Sequence, residues 1–353
     1  MTSNPARPPL AGGALDRDAA TRMSQELLGE AWRDPSAKML RIRGVEIPVR
    51  VEGAAARLAW QPTTGEPRAA VVEDPEGASA ADPSQSSLDA RGVTDVFLGR
   101  IDGAPVFARA IPVAGEDPGT DARTVENEGA GAEAEPGDEL WVHPFQVGAR
   151  LTEAEREAVG VASALLRWHE SASYSPRDGD RTAATQGGWA RLDARGGEHF
   201  PRTDPAVIVL IEHENRVLLG SNALWEPGRF SLLAGFVEAG ESLEQAVQRE
   251  VFEESGVRLG DIAYVTSQPW PFPRSLMLGF RARLAAGVDP EALVPDPTEI
   301  SELRWFTRDE LREPAEDLTL PMPLSIARWM IDRWVAEDVA EDAVEPVDSA
   351  TAS

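Results

Sequence analysis

The segment Gly235–Val257, GFVEAGESLEQAVQREVFEESGV, constrains this chain more than any other stretch. It reads as a loop followed by one helix that carries its own start and stop signals. Ser242 is a good N-cap, with Gln245 three residues on to complete a capping box. Gly256 supplies the left-handed residue with which helices end. Glu250, Glu253 and Glu254 fall at i, i+3 and i+4, so their carboxylates share one face. Leu243, Ala246 and Val247 occupy that face two turns earlier, and the apolar stripe that docks the helix therefore runs into a knot of negative charge. Partly buried carboxylates repel one another and lose hydration, which is costly unless a positive charge compensates. A hard divalent cation held by oxygen ligands resolves the conflict and also suits phosphate oxygens. Arg249 and Glu241 are placed to form an ion pair bracing the loop.

The remainder of the chain frames this helix. At 353 residues it is too long for one ordinary domain, so two folded units with loose segments are expected. Residues 1–37 form a lead segment with a weak helical stretch, Ala19 to Trp32. Residues 38–150 read as a smaller, mostly β domain: strand alternation over Met39 to Val51, a loop over Gln61 to Ala90, and a hairpin over Val93 to Ile111 turning at Asp102-Gly103. It carries an acidic, Gly/Ala/Pro-rich insertion at 116–139. Thr152 to Trp168 begins TEAE, another capping box, and opens a connecting module over 151–199. From 200 to 336 strands and helices alternate. Strands are expected at Val207–Glu212, Arg216–Gly220, Arg229–Gly235, Ile262–Ser267, Ser275–Leu284 and Glu302–Phe306, with a closing helix at Met322–Ala336. That order predicts an α/β/α sandwich around a mixed sheet. Residues 337–353 read as an acidic disordered tail.

Charge and composition exclude several functions. A formal charge of −26 argues against non-specific binding to a nucleic-acid backbone, although much of it lies in the loose segments. The absence of cysteine rules out disulfides and thiolate-bound zinc. No apolar run spans a bilayer and no signal-peptide core opens the chain, so a cytoplasmic protein is expected.

The full pattern of the acidic segment is G-x5-E-x7-R-E-(aliphatic)-x-E-E-x-G-(aliphatic). Chance agreement at one start site is on the order of one in a billion from average residue usage. The segment resembles the box of the Nudix hydrolases without a departure, with Gly235, Glu241, Arg249 and Gly256 as its framework. The resemblance implies a Nudix fold and substitution at phosphorus, in which water attacks a diphosphate linking a nucleoside to another group. It makes Glu250, Glu253 and Glu254 the catalytic metal ligands for Mg²⁺ or Mn²⁺, and leaves open which of them takes the proton.

A second motif follows at Ser267-Gln268-Pro269-Trp270-Pro271-Phe272-Pro273-Arg274-Ser275. Alternating prolines stiffen it, and rigid aromatics suit stacking on a base or nicotinamide ring. The run SQPWPFPxS after such a box resembles the NADH diphosphatase subfamily, which includes enzymes that remove NAD caps from RNA. By that resemblance residues 268–275 bind substrate. Phe200, in HFPRTDPAVI, matches an aromatic substrate contact, and Glu299, in DPTE, matches a fourth metal ligand. Ala234 and Ala327 match positions that touch metal or substrate largely through backbone. Ala164-Leu-Leu-Arg-Trp-His169 resembles the helix before the subfamily's zinc ribbon, but its CxxC…CxxC positions here are Ser175, Asp178, Leu192 and Arg195. No zinc is expected, while Gly188-Trp189 and Gly196 preserve cues for the ribbon's shape. His169 and His199 are read as structural.

The expected activity is therefore hydrolysis of NADH or NAD to NMN(H) and AMP, with NAD-capped RNA as a further substrate and a homodimer implied by resemblance. The competing readings are a Nudix hydrolase of another nucleoside diphosphate derivative, such as ADP-ribose, and a non-catalytic NAD(H) sensor. The aromatic–proline motif argues against the first, and the intact glutamates against the second.

Overall fold

The computed structural model describes residues 6–67, 95–111 and 138–341. Most of the 61–90 loop, the body of the 116–139 insertion and the end of the tail lie outside the described residues. The chain divides into two compact units. One comprises Gly12–Thr203 with Trp270–Arg274, and the other Met1–Ala11 with Asp204–Pro269 and Ser275–Ser353.

In the first unit, α1 (Ala19–Arg22) and α2 (Gln25–Arg33) replace the single helix expected over 19–32. The break has a local cause: the Ser24 side chain accepts from Leu27 N–H and starts a new helix. Two sheets follow. Strands β1 (Lys38–Arg43), β4 (Gln61–Pro62), β5 (Asp95–Ile101) and β6 (Ala104–Ile111) are ordered β4-β1-β6-β5, and β2 (Ile47–Glu52), β3 (Ala55–Leu58) and β7 (Leu140–Val142) are ordered β3-β2-β7. The β5–β6 turn has positive φ at both Asp102 (51°) and Gly103 (81°), as a tight hairpin requires. After the short α3 (Pro144–Val147), helix α4 (Glu153–Ser171) starts with the expected capping box between Thr152 and Glu155. Its Val159, Ala162, Leu165 and Leu166 share a core with Leu40, Val49, Val96 and Val106.

Strands β8 (Ala183–Thr185), β9 (Ala190–Leu192) and β10 (Glu198–His199) form a small three-stranded sheet. Around it, polar bonds stand where relatives carry thiolates. Arg195 Nε lies 3.4 Å from Asp178 Oδ2. Asp193 accepts from the N–H groups of Arg195 (2.9 Å) and Gly197 (2.8 Å) and faces His199 Nε2 at 3.1 Å. His169 is buried; its Nε2 meets Gly188 O at 2.9 Å and its Nδ1 meets Arg191 Nη1 at 2.8 Å, so the ring is neutral with its proton on Nε2. Burial first, then the Arg191 charge, lowers its pKa to about 4. Arg191 also donates to Thr182 Oγ1 and Thr182 O, both at 2.7 Å.

The second unit is a helix–sheet–helix sandwich. Strands β11 (Asp204–His213), β12 (Arg216–Asn222), β13 (Leu233–Phe236), β14 (Leu259–Trp270), β15 (Ser275–Leu284) and β16 (Ile300–Thr307) make a mixed sheet ordered β14-β15-β11-β12-β16, with β13 paired to β11. Strand β11 runs parallel to β15 and antiparallel to β12 and β13. Its side chains alternate, as the period of two requires. Val207, Val209 and Ile211 join the core of α5 (Leu243–Ser255) through Ala246, Val247 and Val251. Ile208 and Leu210 join the opposite core of α7 (Ile326–Glu341) through Ile326, Met330 and Trp334. The short α6 (Arg308–Arg312) lies between β16 and α7 in sequence.

Three expectations shift. The strand expected over 229–235 forms only over Leu233–Phe236, because Arg229 and Ser231 make isolated bridges to Thr319 and Gly220 instead. Strand β14 is twice as long as read, running from Leu259 to Trp270. Helix α7 continues to Glu341, five residues into the stretch read as disordered tail. Among the described residues no helix is long and apolar enough to cross a membrane.

Candidate active site

Helix α5 begins and ends as its residues dictate. Ser242 Oγ accepts from Gln245 N–H (3.2 Å), and Gln245 Oε1 accepts from Ser242 N–H (2.8 Å). Gly256 closes it at φ 74°, donating to Phe252 O at 2.8 Å. With Ala246, Val247 and Val251 wholly buried, the helix has one rotational setting against the sheet. That setting fixes the three glutamates, but not equally. The Glu254 residue is only 7% exposed, whereas the side chains of Glu250 and Glu253 are 12% and 54% exposed.

Arg249 is the hub of the loop–helix corner. Its Nε and Nη2 grip Glu241 at 2.6 and 2.8 Å, and Nη2 also donates to Phe236 O at 2.9 Å. Its Nη1 donates to Glu250 at 2.8 Å and to Glu253 at 3.0 Å. The pairing with Glu241 was readable from the sequence, whereas the grip on two of the three helix glutamates was not; the i,i+4 spacing of Arg249 and Glu253 was the available signal. This fork holds Glu241 down to about pKa 2, its bonds to Arg249 being the main cause, followed by the backbone of Glu238. Glu238 N–H donates to Glu241 at 3.0 Å, so the turn before the helix is closed on the same carboxylate.

Glu254 stands apart from this clasp. Its Oε2 is buried and has no hydrogen-bond partner. Burial, followed by the charges of Glu250 and Glu299, pushes its pKa up to about 8, while a hydrogen bond from the Ala234 backbone acts the other way. Burial likewise raises Glu250, opposed by Arg249 and reinforced by Glu253 and Glu299. Glu250, Glu253, Glu254 and Glu299 are thus one electrostatic group. Glu299 sits at the head of β16, where its carbonyl accepts from Ala223 N–H at 2.8 Å and its N–H bonds Asp296 O at 3.1 Å.

Ala234 and Gly235 lie on β13, opposite Ile208 and Val207 of the central strand. A Cβ on Gly235 would stand 2.0 Å from Glu250 Cδ and 2.2 Å from both carboxylate oxygens, so only glycine lets that carboxylate seat against the strand.

Among the described residues no three His, Asp or Glu side chains are gathered tightly enough to cage an ion unaided. The donors nonetheless fit a hard divalent cation. They are carboxylate oxygens, one of them buried and unpartnered, beside a strand cleared of side chain at Gly235.

The aromatic–proline motif divides between the two units. Gln268 is fully buried in the second unit, and its amide is saturated there: Nε2 donates to Leu324 O (2.9 Å) and Pro9 O (2.6 Å), and Oε1 accepts from Ile326 N–H (2.7 Å). It caps the first turn of α7, in which Ala327 is buried. Pro269 is exposed, and Ser275 opens β15. Trp270, Pro271, Phe272, Pro273 and Arg274 belong to the first unit. There Trp270 stacks on Phe145 (centroids 5.2 Å, planes 21° apart) and Phe272 meets Phe145 edge-on at 5.0 Å. Both aromatics therefore have protein partners, and Phe145 is a contributor that sequence reasoning missed, since it lies over a hundred residues upstream. Phe200, also in the first unit, is 57% exposed.

Comparison with known proteins agrees with this geometry. A model of the NUDIX domain matches residues 202–327. The chain is 41% identical over 257 residues to the NAD-capped RNA hydrolase NudC of Mycobacterium bovis (strain BCG / Pasteur 1173P2), a match covering 68% of this chain and 75% of that one. It is 38% identical over 208 residues to the NAD-capped RNA hydrolase NUDT12 of Homo sapiens, covering 54% and 44%. Among solved structures, a NUDIX hydrolase from Nitrosomonas europaea aligns over 48% of this chain and 93% of its own, at 23% identity and a TM-score of 0.38.

Proposed function

Because the chain belongs to the Nudix hydrolases, within their NADH diphosphatase subfamily, we propose that it hydrolyses the pyrophosphate bond of NADH or NAD to NMN(H) and AMP. The observation that carries this reading is the buried carboxylate of Glu254, with an oxygen lacking any protein partner, inside a group of four acids. A sensor that only bound the dinucleotide would have no need of so costly an arrangement.

Glu250, Glu253, Glu254 and Glu299, with the Ala234 backbone, are the residues that would hold Mg²⁺ or Mn²⁺. When bound, such an ion neutralises diphosphate charge and lowers the pKa of water. The chain's own residues do the rest. Arg249 and Glu241 lock the loop to the helix, so the carboxylates keep their places as charge develops on the phosphates. Gly235 leaves the Glu250 carboxylate seated against β13, and α5 delivers Glu254 from a rigid, fully packed face. Among these acids Glu254 is the one whose raised pKa suits proton transfer near neutrality.

The relatives named as NAD-capped RNA hydrolases support a second substrate for the same site, an RNA bearing a 5′ NAD cap. A cytoplasmic homodimer is proposed on the resemblance. Purified protein with Mg²⁺ is expected to convert NADH to NMNH and AMP, resolved by chromatography. Glu254→Gln is expected to abolish this conversion with an unchanged circular dichroism spectrum. No products from the wild type would overturn the enzymatic reading in favour of the sensor, and an active Glu254→Gln would overturn the site assignment.

A further inference from the structure

In the first unit, two arginines lie against one indole ring with no acid to balance them. Arg22 Cζ is 4.3 Å and Arg17 Cζ 5.4 Å from the centroid of Trp189. The ring is itself anchored, its Nε1–H donating to Phe97 O at 2.7 Å. The turn before it presses on the same place: a Cβ on Gly187, at φ 61°, would lie 3.4 Å from Arg22 Cβ and 3.2 Å from Phe97 Cβ. The guanidinium planes are therefore pre-set by packing.

The charge balance at this spot is unusual. Acids outnumber Lys and Arg in the chain by 60 to 34, so partners are not scarce. Arg41, Arg43 and Arg109 of the same unit all take one, at 2.6, 2.7 and 2.5 Å. Among the described residues neither Arg17 nor Arg22 does, and Nη1 of Arg22 is buried with no hydrogen-bond acceptor. The nearest candidate, Asp18, is committed elsewhere: Oδ2 takes Arg100 Nε at 2.6 Å and Thr21 Oγ1 at 2.5 Å, and Oδ1 takes Thr21 N–H at 3.1 Å. Burial and the charge of Arg17 both act against the Arg22 cation. Like charges held together in a fixed frame, with unsatisfied donors, call for an anion.

We infer that Arg17 and Arg22, braced on Trp189, form a binding site for a phosphate group. A tetrahedral phosphate offers several oxygens to two guanidinium forks, which is the geometry that arginine serves better than any other side chain. The carrier is either a phosphodiester of an RNA chain or a free phosphate, and the chemistry at the two arginines is the same. A single-phosphate grip is compatible with the overall negative charge, since it needs no extended basic track. The site does not rest on the proposed NAD(H) hydrolysis, and its test reads binding rather than turnover.

The full chain and its Arg17→Met/Arg22→Met variant, which keeps the packing and removes the charge, are titrated calorimetrically in the presence of EDTA. One probe is inorganic phosphate, and the other a ten-nucleotide oligoadenylate with 5′-hydroxyl and 3′-hydroxyl ends. The wild type is expected to bind one of them at least tenfold more tightly than the variant. A difference with inorganic phosphate identifies the free-ion source. A difference confined to the oligoadenylate identifies the RNA backbone, and its log–log salt slope is then expected to fall by about 1.4 in the variant if two phosphate contacts are lost. Equal binding by wild type and variant, or no binding of either probe by the wild type, overturns the proposal. Should the double variant fail to fold, Arg17→Gln alone, at the more exposed position, carries the same comparison.

Discussion

Gly235→Ala is a perturbation whose size can be worked from the coordinates. The added methyl carbon would lie 2.0 Å from Glu250 Cδ, against about 3.5 Å for an ordinary carbon–carbon contact. The carboxyl group must therefore withdraw by about 1.5 Å, since β13 is fixed by its pairing with β11. Withdrawal breaks the 2.8 Å bond from Arg249 Nη1, yet Arg249 keeps both bonds to Glu241. The stability cost is accordingly that of one partly exposed pair, under about 1 kcal/mol, or a shift of the unfolding midpoint by about 2–4 °C. The catalytic cost is much larger. Misplacing a reacting group by about 1 Å costs on the order of a hundredfold in rate, or about 3 kcal/mol. The assay is NADH turnover with Mg²⁺ beside a thermal melt. Adding Glu250→Asp to Gly235→Ala shortens the side chain by about one methylene, roughly the required retreat, and is expected to recover part of the rate. A Gly235→Ala enzyme within threefold of wild type would refute the reasoning, because the carboxylate's seat would then not matter.

Two further outcomes follow from the packing. His169 has its pKa depressed to about 4 in the fold, so the unfolded chain takes up the proton first; the stability this ring contributes is whole above its unfolded value of 6.5 and drains away as pH falls towards 4. Comparing urea unfolding at pH 7 and pH 4.5, the wild type is expected to lose about 2–3 kcal/mol more than His169→Gln, and equal losses would contradict the neutral, buried ring. Gln268→Ala strips partners from the buried Leu324 carbonyl and Ile326 N–H, and is expected to cost about 2–4 kcal/mol in denaturant; a loss below about 0.5 kcal/mol would show that the amide is not the cap of α7.

What was legible in the sequence is what short-range chemistry determines. The capping box of Ser242 and Gln245, the left-handed Gly256, the Asp102-Gly103 turn and the alternating faces of β11 all depend on neighbours within a few residues, and each formed as read. The four acids were legible by spacing and resemblance, and the structure brings them within electrostatic reach of one another. The order of their burial was not legible, because helical spacing gives direction around an axis but not depth. Gln268 shows the limit more sharply. Its partners are 56, 58 and 259 residues away, and nothing in SQPW distinguishes an amide facing a ligand from one that closes a helix start. Trp270 and Phe272 likewise acquired Phe145 as a neighbour only through the fold.

The small sheet that follows α4 has a consequence for the conditions under which such a chain can be made. Its corner is fastened by an aspartate–arginine contact and a histidine–arginine–threonine chain rather than by sulfur. Nothing in that fastening can be oxidised by peroxide or must await delivery of a scarce transition metal. Its weak points are acidity, which charges the imidazole, and ionic strength, which loosens the largely exposed Arg195. The module's robustness has thus passed from the cell's zinc economy to its proton and salt balance.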